Sequence, residues 1–325
     1  MDLTSYDPLT LDLADERFRV SFLPPEERLL ISIGAVGLVQ PPLFVVREGK
    51  PVLLSGWKRV LACRRLGLRG MKAWLRNEPD DLKCFRLAVM ENLASRELSL
   101  MEKAETVSRL MRFGTSRESL KEETLPLLGF SRRFETLDVL LRAAAMDSEV
   151  KRAASGELAD ISVLDAFLRF GPEERKALLP LLRRAGRNKQ REILEDLWAA
   201  ARREGLSPLE VLAAGDIREA LDAPRRTPGQ KVDLLRAALK RRRYPSASRR
   251  REEFEGLLKR SGWPRRAAAE PAPFFEDDSL TVRFRFRTKR ELQAVLSEMG
   301  RSSDTKEFSA ALRLGEEEGE GDVSA

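Results

Sequence analysis

Residues 51–104 constrain the fold most. Near their start, a short apolar run is followed by a glycine and a basic pair, and a helical pattern begins there. The run Val52-Leu53-Leu54 predicts a strand, and the helical pattern begins just after Gly56. The start of a helix leaves backbone N–H groups without intrahelical partners, and Lys58 and Arg59 add positive charge beside them. This stretch predicts an anion-binding turn, although a helix cap with a solvated basic face is the simpler interpretation of the pattern alone.

A second polar cluster lies in the sequence ENLASRELSLMEKA, residues 91–104. Glu91 and Asn92 offer a carboxylate and an amide oxygen, which are ligand types that magnesium accepts, and Arg96 follows them. An anion-binding turn and an oxygen-rich pair on one small α/β unit together suggest a nucleotide site.

The order SIGAVGLVQPPLFVV, SGWKRVLACRRLG and ENLASRELSLMEKA resembles the N-terminal domain of the ParB family of partition proteins, over roughly residues 15–170. That family has a GLxQPI run, a GERR box followed by a helix, and an ENxQRxxLxPxEEA box. The resemblance implies a CTP-dependent DNA clamp, in which CTP and magnesium bind to these boxes and a helix-turn-helix behind them holds a DNA site.

The match to the boxes is partial. Gly56 and Arg59 fit the second box, but Trp57 stands at its glutamate, Lys58 at an arginine and Leu61 at a position where many members have another arginine. The resemblance implies nucleotide contacts from Gln40, Gly56, Lys58, Arg59 and Arg96, with Mg²⁺ on Glu91 and Asn92.

In the third box the family's arginine falls on Ser95, and Arg96 comes one place later. These departures leave weak CTP hydrolysis and clamp closure open, because lysine lacks the forked geometry with which arginine binds phosphate. They motivate an alternative, a regulator or adaptor derived from the same fold that binds DNA without nucleotide. A nuclease is not favoured, because the acidic residues near the boxes are too few and scattered for a two-metal site.

The composition excludes several chemistries. The chain has no histidine and only two cysteines, so histidine general bases and zinc sites are not available. The net charge is +7, although the last eleven residues carry five acidic side chains and no basic one. No apolar stretch has the length of a membrane span or a signal peptide. We expect a cytoplasmic, nucleoid-associated protein with no membrane partner.

Two segments are predicted to bind double-stranded DNA. Residues 115–142 read as a helix, a turn at Gly129 and a second helix opening on Ser-Arg-Arg, the pattern of a helix-turn-helix, although a helical hairpin with solvated arginines fits equally well. Residues 225–266 hold 15 Lys or Arg against 4 Asp or Glu, so the basicity is local. The predicted DNA contacts are Ser131, Arg132, Arg133, Arg142, Arg241, Arg242, Arg243, Arg249 and Arg250.

The fold class predicted is α+β: a small N-terminal α/β domain, a central all-helical region and a small C-terminal α+β element. The expected divisions are 1–95, a nucleotide-binding domain; 96–223, a helix-turn-helix and helical domain; 224–265, a basic helical segment; 266–314, a strand and helix; and 315–325, an acidic tail. Residues 15–22 alternate like a half-buried strand, as do 280–287. The latter strand needs a partner from 272–275, from 310–314 or from a second chain, so a homodimer is expected, and the resemblance adds a ParA-type ATPase as a further partner.

Overall fold

The sheet of the N-terminal unit separates two apolar cores. A computed structural model describes residues 2–22, 24–158, 160–272 and 279–315 of the chain. The strand order is β1-β4-β2-β3, with β2 and β4 parallel and the other neighbours antiparallel. The elements of this unit are β1 (Asp2–Tyr6), α1 (Glu27–Val36), β2 (Leu43–Arg47), β3 (Lys50–Ser55), α2 (Trp57–Arg65), β4 (Met71–Arg76) and α3 (Asp81–Ser95).

Successive side chains of a strand point to opposite faces, and β3 follows this rule. Leu53 is buried against the core that contains α1 and α2, whereas Val52 and Leu54 are buried in the core shared with α3 and the helices that follow. Both faces of the strand are covered, so its apolar run is continuous, and α1 and α2 lie on one side of the sheet while α3 lies on the other.

One predicted strand is wrong. Residues 15–22 form no strand, although Phe18 and Val20 are buried as the alternation predicted. Arg109 donates hydrogen bonds to the carbonyls of Glu16, Arg17 and Arg19, so side-chain bonds take the place of a strand ladder. The first strand is β1 instead, which pairs with β4.

The central region is helical, as predicted, and it shares one large core with α3. Ser99 and Glu102 form a capping box at its first helix, which satisfies backbone N–H groups at the helix start. A π-helical segment (Leu120–Thr124) lies between two short helices, so residues 117–127 form one helical run. The helices are α4 (Leu100–Arg112), α5 (Arg117–Ser119), α6 (Leu125–Leu127), α7 (Phe134–Ala144), α8 (Ser148–Ala154), α9 (Ile161–Phe167), α10 (Pro172–Leu182), α11 (Arg187–Glu204), α12 (Pro208–Ala213) and α13 (Gly215–Asp222).

The basic segment forms two helices, α14 (Pro228–Arg243) and α15 (Pro245–Arg260), with a break at Tyr244 and Pro245. The apolar face of α14 joins the large core, whereas α15 packs in a separate core with the C-terminal helices.

The partner of the last strand differs from both segments expected within the chain. Strand β6 (Leu280–Phe284) pairs antiparallel with β5 (Ala267–Pro271), which lies just before the first expected segment. Residues 310–312 are helical, and residues 273–278 and the acidic tail from 316 lie outside the described residues. The remaining elements are α16 (Lys289–Ser303), α17 (Lys306–Leu312) and a 3-10 turn (Arg313–Gly315). The described residues contain no helix with the length and apolar character needed to cross a bilayer.

Candidate functional site

The turn between β3 and α2 adopts a conformation that requires glycine. Gly56 has a φ of 98°, in the left-handed region, and a Cβ added there would lie 2.8 Å from the Cβ of Pro42. The loop before β2 therefore packs directly on this turn, and the first turn of α2 projects Lys58 and Arg59 beside it.

These residues line a cavity of about 290 Å³. All seven residues predicted to hold a nucleotide or magnesium line this cavity. They come from four places in the chain: the loop before β2, the start of α2, the end of α3 and the residue that follows α3. The lining residues are Ser21, Glu26, Arg28, Leu29, Gln40, Gly56, Trp57, Lys58, Arg59, Glu91, Asn92, Ser95 and Arg96.

Each acidic side chain of the cavity is paired with a basic one. Arg59 contacts Glu91 at 2.6 Å and donates to the carbonyl of Gln40 at 3.0 Å. Glu26 lies 3.3 Å from Lys58 and 2.6 Å from Arg28, and the hydrogen bond from Lys58 lowers the pKa of Glu26. Four basic residues thus meet two acidic ones, so the cavity carries an excess of positive charge.

The oxygens predicted to bind magnesium are already engaged. Glu91 accepts from Arg59 through one carboxylate oxygen and from the hydroxyl of Ser55 through the other. Asn92 accepts from Arg96 at 3.2 Å and donates to the carbonyl of Ala88 at 2.8 Å. No group of three or more metal-binding side chains occurs among the described residues. This donor set does not fit a magnesium ion, so the assignment of the metal to Glu91 and Asn92 is not supported.

Several lining residues could not be found from the boxes. Glu26 and Arg28 lie about thirty positions upstream of α2, and no spacing rule connects them to it. Ser21 and Trp57 each have a buried polar atom with no hydrogen-bond partner, and the guanidinium of Arg19 lies over the Trp57 ring at 5.0 Å. Trp57 therefore covers the apolar core on one side and lines the cavity on the other.

Arg96 links the cavity to the start of α4. It contacts the carboxylate of Glu102 at 2.7 and 2.9 Å, and Glu102 is almost completely buried. Burial opposes ionisation of Glu102, but hydrogen bonds from Arg96 and from the N–H groups of Ser99 and Phe22 outweigh it and hold its pKa below the ordinary value.

Glu102→Gln is expected to lower the free energy of unfolding by about 1.5–3 kcal/mol at neutral pH, because it weakens hydrogen bonds made to a charged group. Since the folded pKa is lowered, the stabilisation is complete above the unfolded pKa, about 4.3, and is lost as the pH falls through the folded value. Urea unfolding at neutral and acid pH measures both effects. The matched control is Glu97→Gln, whose carboxylate is 90% exposed and should contribute under about 0.5 kcal/mol. An equal loss in both variants, or a loss that does not shrink in acid, would contradict this role for Glu102.

The second candidate surface lies at the start of α7. The side chains of Ser131, Arg132 and Arg133 are exposed, in the turn that follows the helical run 117–127. Arg132 lies 3.4 Å from Glu122 and keeps 62% of its side chain exposed. Beneath the turn Leu120, Leu125, Leu128 and Leu137 are buried in the large core, so the two helices are held as one unit.

The predicted basic contacts divide into two groups. Arg242 pairs with Glu204 and Asp216 at 2.5 and 2.6 Å, and Arg243 pairs with Asp196 at 2.7 Å. These two arginines hold α14 against neighbouring helices, which disfavours the predicted DNA contact. Arg241 and Arg249 are exposed, Arg250 is half-buried, and Arg142 is exposed but paired with Asp165 at 2.5 Å.

A comparison with the models of known protein families finds no match. Among curated proteins, the chain is 28% identical over 158 residues to the probable chromosome-partitioning protein ParB of Vibrio cholerae, covering 47% of this chain and 51% of the relative. The chain thus spans about half the length of this curated relative.

Three solved structures are also similar. One is C-terminally truncated ParB from Caulobacter crescentus complexed with CTP-gamma-S, with 24% identity, a TM-score of 0.27 and coverage of 56% of this chain and 99% of that chain. Another is C-terminally truncated ParB from the same organism complexed with the centromeric parS site, with 21% identity, a TM-score of 0.29 and coverage of 55% of this chain and 98% of that chain. The third is a Pnob8-like ParB-N domain, with 17% identity, a TM-score of 0.35 and coverage of 74% of this chain and 99% of that chain. These TM-scores are too low to carry an argument about the site.

The fold and the cavity define a class: an α+β protein with a basic cavity at the start of a helix, followed by a large helical region. The chain resembles ParB proteins at low identity, and the relative from Vibrio cholerae confirms the resemblance predicted from its boxes.

Proposed function

We propose that the chain is a DNA-binding protein of partition type whose N-terminal cavity binds a cytidine nucleotide. The observation that supports it is the cavity itself, where residues from three separate boxes of the sequence lie together around an excess of positive charge. The resemblance implied the same seven residues from the sequence alone.

In this proposal the triphosphate lies against the first turn of α2. Gly56 allows close approach of the backbone, and the N–H groups at the helix start face an anion together with Lys58 and Arg59. Lys58 exchanges its carboxylate partner for phosphate oxygens, whereas Arg59 keeps its contact with Glu91 and offers its remaining N–H donors to them, because phosphate oxygens are strong acceptors of charge-assisted hydrogen bonds. Gln40 lines the cavity, and its side chain takes no part in the ion pairs described above, so we assign it to the nucleoside.

The DNA half of the proposal uses the exposed start of α7. In a helix-turn-helix the second helix enters the major groove with its first residues, and Ser131, Arg132 and Arg133 occupy that position. Arg241 and Arg249 add contacts to phosphates that do not depend on sequence. The partner is double-stranded DNA, on the nucleoid; a homodimer and a ParA-type ATPase stay predictions from the resemblance.

Nucleotide binding is tested by fluorescence anisotropy of a labelled CTP analogue titrated with the full chain. Wild-type protein is expected to bind, and Arg59→Ala to weaken binding by at least about tenfold, because it removes a guanidinium that makes charge-assisted hydrogen bonds. Arg65→Ala removes the same charge from an exposed position of the same helix that does not line the cavity, so it should bind like wild type. Competition by unlabelled CTP, UTP, ATP and GTP measures base selectivity. If none of the four nucleotides binds, the nucleotide half of the proposal is wrong.

A second candidate is a regulator or adaptor that binds DNA without nucleotide. The observation in its favour is that Arg59 and Lys58 are already neutralised by Glu91 and Glu26. The two candidates are distinguished by sequencing DNA captured with the protein, with and without CTP. Binding that spreads from sharp sites only with CTP supports the nucleotide-dependent protein, whereas sharp sites indifferent to CTP support the adaptor.

A further inference from the structure

The charges and donors of the N-terminal cavity point to a specific mode of phosphate binding. The inference rests on the proposed nucleotide function and concerns how the cavity neutralises the ligand. Its lining offers Arg28, Lys58, Arg59 and Arg96 as cationic donors, whereas Glu26 and Glu91 are the carboxylates, and both are consumed in ion pairs.

A magnesium ion would need oxygens that the cavity does not leave free. The ion requires close, nearly octahedral oxygen ligands and commonly takes one or two carboxylates together with phosphates. Both oxygens of Glu91 accept hydrogen bonds, one from Arg59 and one from the buried hydroxyl of Ser55. To coordinate an ion, Glu91 would have to release the guanidinium of Arg59, and the ion would then lie beside that cation.

Asn92 is no more available. Its amide group donates to the carbonyl of Ala88 one helical turn earlier, and its carbonyl oxygen accepts from Arg96. Arg96 is itself held by the buried carboxylate of Glu102 and cannot follow Asn92, so an Asn92 that turned its oxygen toward an ion would give up its hydrogen bonds to Arg96 and Ala88. Glu91 and Asn92 are therefore each hydrogen-bonded to an arginine, and both arginines line the cavity.

We infer that the cavity binds the polyphosphate of its nucleotide through guanidinium and ammonium groups alone, without a divalent cation. Arg59 and Lys58 take the place that a metal would hold, because a guanidinium presents paired N–H donors to phosphate oxygens at fixed geometry. Glu91 and Asn92 act as positioning residues: Glu91 holds Arg59, and Asn92 holds Arg96.

The test compares displacement of the labelled CTP analogue by CTP from the full chain in EDTA and in excess magnesium chloride. We expect the dissociation constant of CTP to be equal in the two buffers within about threefold, or lower in EDTA, since magnesium withdraws negative charge from the ligand. Binding that appears only with magnesium would overturn the inference and leave the proposed nucleotide function standing. No binding in either buffer would overturn both.

Two substitutions separate the alternatives by the sign of their effects. Glu91→Gln removes a negative charge beside the phosphates and keeps an amide oxygen that can accept from Arg59, so affinity for CTP in EDTA should rise about threefold to tenfold. Asn92→Asp adds a negative charge next to Arg96 and should weaken CTP binding. A metal held by these residues requires the opposite pattern, with loss in Glu91→Gln and retained or stronger magnesium-dependent binding in Asn92→Asp. The thermal midpoint of each variant shows whether it is folded. If a variant is unstable, CTP binding by the wild-type protein in EDTA and in magnesium chloride still tests the inference.

Discussion

Gly56→Ala is expected to destabilise the protein by about 2–5 kcal/mol and to abolish binding of the CTP analogue. A left-handed conformation costs an L-residue about 1–2 kcal/mol, and forcing extra volume into a packed site adds about 1–3 kcal/mol. The added methyl would lie 2.8 Å from Pro42 Cβ and 3.2 Å from Arg59 Nε, so the strain falls on the loop before β2 and on the guanidinium proposed to hold phosphate. Urea unfolding gives the free energy, and anisotropy gives the binding.

Gly114→Ala is the matched control for this substitution. Gly114 has a φ of 92°, close to that of Gly56, but a Cβ there would meet no atom within 4 Å. It should therefore lose only the backbone contribution, about 1–2 kcal/mol, and bind CTP like wild type. Equal destabilisation of both variants, with nucleotide binding preserved in Gly56→Ala, would contradict the close packing of the turn on Pro42 as the feature that shapes the cavity.

The double variant Arg132→Ala/Arg133→Ala is expected to weaken binding to the DNA captured by the wild-type protein by about tenfold to a hundredfold. Removing an arginine from a base edge costs about 1–3 kcal/mol, and removing one from a phosphate reduces the slope of log K against log salt by about 0.9. Both side chains are exposed at the start of α7, so their removal leaves the buried leucines beneath them untouched. Affinity measured across a range of salt concentrations separates the two kinds of interaction.

Arg65→Ala/Arg69→Ala removes the same net charge from exposed positions of the N-terminal unit. This control should change DNA affinity by less than about threefold, which is the size of a general charge effect. If the two double variants lose affinity equally, the start of α7 has no special role in DNA binding, and the helix pair is the solvated hairpin that the sequence also allowed.

Most of the N-terminal elements could be predicted, because each carries its own local signal. Gly56 between an apolar run and a helical pattern indicated the turn, with a strand before it and a helix after it. The resemblance named seven residues that line the cavity, but it could not supply Glu26 or Arg28, which reach the site from a segment about thirty positions upstream.

The predicted elements that failed share one physical cause: alternation of apolar residues reports burial and does not report the backbone partner. Residues 15–22 alternate because Phe18 and Val20 enter a core, but Arg109 satisfies carbonyls of that segment, so no strand forms. Likewise, β6 was recognised, but its partner β5 has no alternating apolar signal of its own, since it reads Ala-Ala-Ala-Glu-Pro.

The amino-acid sequence by itself determined the order of most elements in the N-terminal unit, the glycine turn and the excess of basic residues, since these depend on neighbours along the chain. Only the tertiary structure decided what each charge does. It turned Arg242 and Arg243 toward acidic partners, left Arg132 and Arg133 exposed, and directed Glu91 and Asn92 to arginines, because the partner of a charged side chain is chosen by proximity in space.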